Sequence, residues 1–234
     1  MAMLTVNGIT RRFGDVVVLD SATFSVREGE TLGIIGPNGS GKTTLIETLS
    51  GLQPSDSGTV LWRGSPLPPH LRKRAMFYVP DGIAPYAEHS TENVLRFFAG
   101  VYRRQTSDLE ETIEDLGLEP ALGKRVGTLS KGYRRRLLIA LGFITPQPLL
   151  LMDEPFDGFD LRQTRQVMGL MRRVSAKGRS LLLAIHQLRD AERMCDRFVL
   201  LSGGRVRGEG SLEELRSLAG LAEGGLEEVF LALA

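Results

Sequence analysis

Cysteine is almost missing from this sequence of 234 residues, which contains only Cys195. A single cysteine excludes an internal disulfide and is typical of proteins in a reducing compartment. An excess of one charge sign is also missing, because 29 Lys and Arg residues stand against 28 Asp and Glu residues. This balance gives no reason to expect wholesale binding of nucleic acid, so any contact with phosphate groups should be local.

Long apolar runs are absent as well. No window approaches the ~20 uninterrupted apolar residues of a membrane-spanning helix, and residues 1–7 lack a basic region followed by an apolar stretch. We therefore expect a soluble cytoplasmic chain that reaches a membrane only through a partner. The length is sufficient for a substantial core.

The most informative motif is a glycine-rich loop that follows the apolar run at residues 31–35. It reads G-x-x-x-x-G-K-T and consists of Gly36, Pro37, Asn38, Gly39, Ser40, Gly41, Lys42 and Thr43. Glycines let backbone N–H groups surround a polyphosphate where a Cβ would obstruct them. Lys42 supplies a positive charge for the terminal phosphates, and the Thr43 hydroxyl can ligate Mg²⁺. With a helix following the loop, the pattern predicts a nucleotide site.

The first 83 residues otherwise have the character of strands. Alternating residues from Leu4 to Glu30, with a turn at Gly14-Asp15, predict a pair of strands. Short strands are also predicted at residues 59–62 and 77–79, and a helix after the loop should end at Gly51.

Helical periods dominate from residue 84 to residue 148, where Thr91 and Ser107 are the predicted caps of two helices. This region is predicted to be a mostly helical subdomain, 84–148, inserted into an α/β core. Residues 211–234 are predicted to form a short C-terminal tail that opens with a capping box at Ser211.

Two acidic residues stand at the carboxyl end of a further apolar strand, the edge where open α/β sheets place their ligands. Asp153 can hold Mg²⁺ opposite Thr43, and Glu154 is the natural general base for a water that attacks a γ-phosphate. Burying adjacent acids for structure alone is costly. His186 ends the next buried strand, where an imidazole can donate to the γ-phosphate or help place the water.

Two other features allow two interpretations each. Ser130, with Lys131 and Gly132, can cap a helix and form a second anion site, or it can be a simple cap before a solvated basic face at 134–136. Phe13 can stack on a purine ring, although the residues alone favour a place in the core.

Together these motifs resemble the nucleotide-binding subunit of the ATP-binding cassette (ABC) family over essentially the whole chain. Residues 36–43 match Walker A, 149–154 match Walker B, and 129–133 stand at the signature position. The resemblance favours adenine stacking for Phe13 and gives His186 the role of the switch histidine. The nucleotide contacts that it implies are Phe13, Gly36, Pro37, Asn38, Gly39, Ser40, Gly41, Lys42, Thr43, Thr44, Ser130, Lys131 and Gly132.

The resemblance implies an α/β P-loop NTPase core of the ABC ATPase type, with a mixed sheet, an antiparallel β subdomain and an inserted α-helical subdomain. It also implies a head-to-tail dimer that holds two ATP molecules with Mg²⁺. We expect the two subunits to be copies of this chain. Asp160 would contact the second cassette, and Glu154 and His186 would be catalytic. The implied Mg²⁺ ligands are Thr43, Asp153 and Asp81.

Asp81 and Tyr133 depart from the family pattern, because glutamine is usual at both positions. Asp81 keeps an oxygen ligand but is shorter and anionic, so it can ligate the metal through water or leave that contact unmade. We expect hydrolysis to be retained, at a reduced rate.

The closing residues 226–233 resemble the tail of ATPase subunits that serve ABC-2-type exporters. The resemblance thus implies the ATPase subunit of an exporter, attached to the inner face of the cell membrane through an integral-membrane permease. Two alternatives remain: a soluble ABC ATPase of an assembly complex, such as iron–sulfur cluster biogenesis, and a nucleotide sensor without turnover.

Overall fold

Strands in two separate sheets form the framework of the computed structural model, which describes residues 2–83 and 86–234. The strands are β1 (Ala2–Phe13), β2 (Val16–Arg27), β3 (Thr31–Ile35), β4 (Ser57–Trp62), β5 (Ser65–Pro66), β6 (Met76–Val79), β7 (Leu149–Asp153), β8 (Ser180–Ile185), β9 (Arg197–Ser202) and β10 (Arg205–Gly210). The helices are α1 (Lys42–Ser50), α2 (Pro69–Ala75), α3 (Thr91–Val101), α4 (Thr106–Asp115), α5 (Lys131–Ile144), α6 (Leu161–Ala176), α7 (Leu188–Met194), α8 (Leu212–Ala219) and α9 (Leu226–Leu233).

The smaller sheet is antiparallel and has the strand order β2-β1-β4-β5. Its two long strands are the predicted pair, and the Gly14-Asp15 turn joins them. The larger sheet has the order β10-β9-β3-β8-β7-β6, in which all neighbours are parallel except β9 and β10. The predicted mixed α/β architecture is therefore confirmed.

Side chains on the two faces of the larger sheet enter two different cores, because residues alternate between faces along a strand. On one face, Leu32 and Ile34 pack with the smaller sheet and α1. On the other face, Leu150 and Met152 pack with helices that include α5 and α6. Burial on both faces explains why β3, β7 and β8 are buried at every position and are mostly apolar.

The carboxyl ends of four neighbouring parallel strands lie at one edge of this sheet. The phosphate loop follows β3, Pro80 and Asp81 follow β6, Glu154 follows β7, and His186 follows β8. Parallel topology thus brings together segments that are far apart in the sequence.

Two predicted helix caps are wrong, one by one position and the other by two. Ser90 caps α3, because its side chain accepts a hydrogen bond from the Asn93 N–H, and Thr91 is the first helical residue. Helix α4 begins at Thr106, before Ser107, and has no side-chain cap. In contrast, the capping box at Ser211 is confirmed.

Residues 86–148 contain α3, α4 and α5 together with two short 3₁₀ segments. The buried residues of these helices belong to the same core as one face of the larger sheet. The boundaries of a separate subdomain at 84–148 remain a prediction, and residues 84 and 85 lie outside the described residues. Within residues 2–83 and 86–234, no helix has the length and apolar character needed to cross a bilayer.

Candidate active site

The phosphate loop joins β3 to the N-terminus of α1, and close packing fixes its glycines. A Cβ at Gly36 would lie 2.2 Å from the carbonyl oxygen of Leu201. Gly41 has φ +102°, and a Cβ there would lie 2.9 Å from the carbonyl oxygen of Val18. Larger residues are therefore excluded at both positions. The loop presents its backbone and the positive end of α1 to one cavity.

Lys42 lies against this loop and is largely buried. Its Nζ donates to the carbonyl oxygens of Gly36 at 2.8 Å and Pro37 at 3.2 Å. Burial lowers the pKa of Lys42, while the nearby Glu154 and Asp153 act in the opposite direction. The ammonium group is thus placed beside the loop that is predicted to hold the phosphates.

Thr43 and Asp153 form the pair predicted to hold Mg²⁺. The Thr43 hydroxyl donates to Asp153 Oδ2 at 2.6 Å. The other carboxylate oxygen, Oδ1, is buried and has no hydrogen-bond partner among the described residues. Burial raises the pKa of Asp153, and the hydrogen bond from Thr43 opposes this. A buried oxygen without a partner beside a hydroxyl suits a hard cation, so these residues fit Mg²⁺.

Glu154 and His186 are in direct contact. His186 Nδ1 lies 2.6 Å from Glu154 Oε2. Glu154 has a left-handed backbone with φ +46°, and its N–H donates to the Ala184 carbonyl at 3.0 Å. Strained backbone of this kind is found where a side chain must be aimed. Burial raises the pKa of Glu154, and the hydrogen bond with His186 lowers it to a smaller extent.

Lys42, Thr43, Asp153 and Glu154 line a cavity of about 560 Å³, whereas His186 is not among the described residues of its lining. Its lining includes Asn38, Gly39, Gly41, Lys42, Thr43, Thr44, Asp81, Asp153 and Glu154. The buried hydroxyl of Ser40 has no partner among the described residues. The volume falls within the range of small-molecule sites in proteins, roughly 300–1,000 Å³.

Arg135 is the functional candidate that the sequence interpretation missed. The alternative of a solvated basic face at residues 134–136 is wrong for this residue, whose side chain is only 4% exposed. Arg135 forms an ion pair with Asp81 and donates to the carbonyl of Asp153 at 3.2 Å. The sequence feature that could have indicated its burial is the helical spacing, because Arg135 stands three residues before Leu138 and so shares the buried face of α5.

The predicted second anion site is at the start of α5. The Ser130 side chain accepts a hydrogen bond from the Tyr133 N–H at 3.4 Å, so Ser130 is the N-cap. Lys131 Nζ lies 2.7 Å from Asp157 Oδ2. A Cβ at Gly132 would lie 3.4 Å from the Gly158 carbonyl oxygen, which is an ordinary van der Waals contact. Among the described residues, the lining of the phosphate-loop cavity does not include Ser130, Lys131 or Gly132.

Asp160 and Phe13 lie on the surface. Asp160 is exposed and caps α6 by accepting from the Gln163 N–H at 2.8 Å. Phe13 is 45% exposed, so the interpretation as a core residue is wrong. The Arg11 guanidinium carbon lies 4.5 Å from the centre of the Phe13 ring. Neither Asp160 nor Phe13 is among the described residues that line the cavity.

A strand, phosphate loop and helix beside strand-end carboxylates define the P-loop class of nucleotide-binding proteins. Residues 19–157, more than half of the chain, match the family model for ABC transporters. The chain therefore belongs to the ABC transporter family, as one of its ATP-binding subunits. The predicted family is thus confirmed.

Proteins named Nod factor export ATP-binding protein I are among the relatives. The one from Mesorhizobium japonicum is 34% identical over 214 residues, which cover 89% of this chain and 63% of that protein. The one from Rhizobium etli is 32% identical and covers 92% of this chain and 70% of that protein. The chain thus spans about two thirds of the length of these relatives.

Solved structures show the same fold. An ATP-binding subunit of an ABC transporter has a TM-score of 0.90 and 32% identity, with 99% of both chains covered. A nucleotide-free ATP-binding cassette has a TM-score of 0.82 at 22% identity, with 98% of this chain and 99% of that chain covered. The second similarity concerns the fold alone.

Proposed function

We propose that this chain binds and hydrolyses ATP and thereby energises a membrane exporter. The observation that carries the proposal is the convergence of Lys42, Thr43, Asp153, Glu154 and His186 at one sheet edge. These residues provide a cation for phosphate, a pair of oxygen ligands and an activated carboxylate. The convergence supports turnover over a nucleotide sensor that only binds.

Mg²⁺ would be held by the Thr43 hydroxyl and the Asp153 carboxylate. When bound, it would neutralise charge on the phosphates and polarise them. Protein ligands alone would not complete its coordination, since Mg²⁺ usually keeps waters and substrate oxygens in its shell. Asp81 remains a candidate for an outer contact.

Glu154 is the proposed general base. A carboxylate with a raised pKa is a better proton acceptor than one in water, and the pKa of Glu154 is raised by burial. With its Nδ1 protonated, His186 donates to Oε2 of Glu154 and fixes that oxygen. The remaining oxygen, Oε1, would then be directed toward the attacking water and take its proton.

Two cassettes are proposed to form the complete catalytic site. The signature residues Ser130 to Gly132 do not line the phosphate-loop cavity of their own chain, as expected if they serve the ATP of a second copy. The exposed Asp160 would lie at that contact. In a symmetric pair, both sites would be equal. Because each ATP would contact residues of both copies, binding of ATP would favour their association.

Export is favoured by the names of the relatives, which are export ATP-binding proteins. The C-terminal helix α9, whose sequence resembles exporter tails, packs against α7 and α8. The alternative of a soluble assembly ATPase is supported only by the core motifs that all such ATPases share.

An exposed apolar surface formed by α3 and by Tyr86, which precedes that helix, is the proposed docking site for the permease. Tyr86, Phe97 and Val101 are 52%, 57% and 58% exposed. The Tyr86 and Phe97 rings lie 6.1 Å apart beside a cavity of about 600 Å³. Grouped exposed apolar side chains of this kind mark interaction sites, and an ABC transporter subunit needs a membrane partner.

The test is purification of the tagged chain from detergent-solubilised membranes, followed by identification of co-purifying proteins. We expect a membrane protein with several spanning segments, reduced in yield by Phe97→Ser. Leu218→Ser is the matched control, because Leu218 is equally exposed, at 58%, on a different helix. Recovery of soluble proteins only would favour the assembly-factor alternative.

A further inference from the structure

Arg135 connects three segments of the catalytic edge from the interior of the protein. Its Nη2 pairs with Asp81 Oδ1. Its Nη1 donates to the carbonyl oxygens of Asp153 at 3.2 Å and Pro80 at 3.3 Å. The residue belongs to α5, the helix that Ser130 caps. One buried cation therefore links the ends of β6 and β7 to α5, the helix that begins within the signature segment 129–133.

The charge balance of the cavity shows what this cation does. The described lining contains four carboxylates, from Glu47, Asp81, Asp153 and Glu154, and a single cation, Lys42. A triphosphate adds further negative charge to this cavity. Asp81 is 45% exposed there, so its charge would oppose the substrate unless a partner neutralised it.

We propose that Arg135 is a positioning residue that neutralises Asp81 and fixes it at the cavity edge, so that an acidic residue can replace the usual glutamine without repelling the nucleotide. This inference rests on the proposed binding of ATP in the cavity. The competing explanation is that Arg135 only fastens the carbonyl groups of Pro80 and Asp153. The two explanations differ in whether removal of the charge on Asp81 compensates for loss of Arg135.

The test compares Arg135→Gln, Asp81→Gln and the double variant by calorimetric titration with a non-hydrolysable ATP analogue and Mg²⁺. We expect Arg135→Gln to weaken binding roughly tenfold, a coupling typical of contacting charged residues. The double variant should return to within about threefold of the wild type. Arg165→Gln is the control, because Arg165 is exposed on α6 and makes no ion pair among the described residues.

If the double variant binds the ATP analogue as weakly as Arg135→Gln, the inference is overturned in favour of the carbonyl contacts. Wild-type affinity in Arg135→Gln would also overturn the inference, because it would show that Arg135 does not affect nucleotide binding. If Arg135→Gln does not fold, recovery of a cooperative thermal transition in the double variant supports the inference, and failure of both to fold overturns it. Absence of binding by the wild type would instead contradict the proposed function.

Discussion

At the scale of single residues, Asp153 and Glu154 share a cavity and a raised pKa, yet their partners differ. Asp153 accepts from the Thr43 hydroxyl, whereas Glu154 contacts the His186 ring. Burial is the largest cause of the raised pKa in both. Their different partners support the proposed roles, in which Asp153 ligates the metal and Glu154 accepts the proton.

The raised pKa of Glu154 predicts the acid limb of the pH profile. A base must be deprotonated to act, so kcat/KM should fall as pH decreases through the pKa of Glu154. Because that pKa is raised, the fall should occur at a higher pH than for an ordinary glutamate. Because contact with His186 lowers that pKa, His186→Ala should move the limb to higher pH. Steady-state phosphate release between pH 5 and 8 measures both effects. A limb that does not move in His186→Ala would contradict the coupling.

Asp153 should reduce the stability of the free protein. Asp153 is 3% exposed, and one of its carboxylate oxygens lacks a hydrogen-bond partner among the described residues. A raised pKa means that the fold disfavours the charged form, so Asp153→Asn should increase the free energy of unfolding by about 1 kcal/mol. Urea denaturation without Mg²⁺ measures this, and a loss of stability would contradict it. The same variant should no longer be stabilised by Mg²⁺ with ATP.

At the scale of elements, α5 is fastened at both ends. Ser130 caps its N-terminus, and Arg179 donates to the carbonyl oxygens of Gly142 and Phe143 near its C-terminus, at 3.1 and 3.0 Å. Arg104 donates to the Thr145 carbonyl just beyond, at 3.0 Å. Both arginines thus satisfy carbonyl groups that a helix end leaves without partners.

Arg179→Met should destabilise the protein by about 2 kcal/mol, because it removes a donor from the partly buried carbonyl groups of Phe143 and Gln147. Burial lowers the pKa of Arg179 to about 10, so the guanidinium is charged at neutral pH. Arg165→Met, at an exposed position on α6, should change stability by less than ~0.5 kcal/mol. Urea denaturation compares the two, and equal effects would contradict the capping role.

Asp160 has a local role that must be separated from its proposed contact with a second cassette. Asp160→Ala should cost about 1 kcal/mol, because it removes the cap of α6. Asp160→Asn should keep the cap, since asparagine is an equally good N-cap. If the charge contacts the second cassette, Asp160→Asn should weaken ATP-dependent association, measured by sedimentation, without a change in unfolding. Normal association in this variant would leave Asp160 as a cap only.

Local patterns were sufficient to predict the strands and the ends of several helices. The phosphate loop, the buried strands and the capping box are each encoded within a few neighbouring residues. The choice between Ser90 and Thr91 as a cap was missed because both side chains can accept the bond and only the backbone decides. Arg135 was missed because its partner, Asp81, stands 54 positions away.

At the scale of the whole molecule, sheet order determines which residues meet. Strand β3 lies between β8 and β9, which begin about 150 and about 165 residues later in the chain, and no local pattern specifies that pairing. The resemblance to a known family implied a mixed sheet with an antiparallel β subdomain, but the strand order comes from the structure. The surface position of Phe13, against Arg11, likewise depends on how the strands are placed.

The most direct test of the account is phosphate release from Mg²⁺ and ATP by the purified chain, measured per subunit over a range of protein concentrations. If the site requires two cassettes, the rate per subunit should increase with concentration, and Glu154→Gln should abolish turnover while it retains nucleotide binding. Release by the wild type that does not exceed that of Glu154→Gln would contradict the hydrolytic role. A rate per subunit that does not depend on concentration, in a protein that sediments as a monomer, would contradict the shared site.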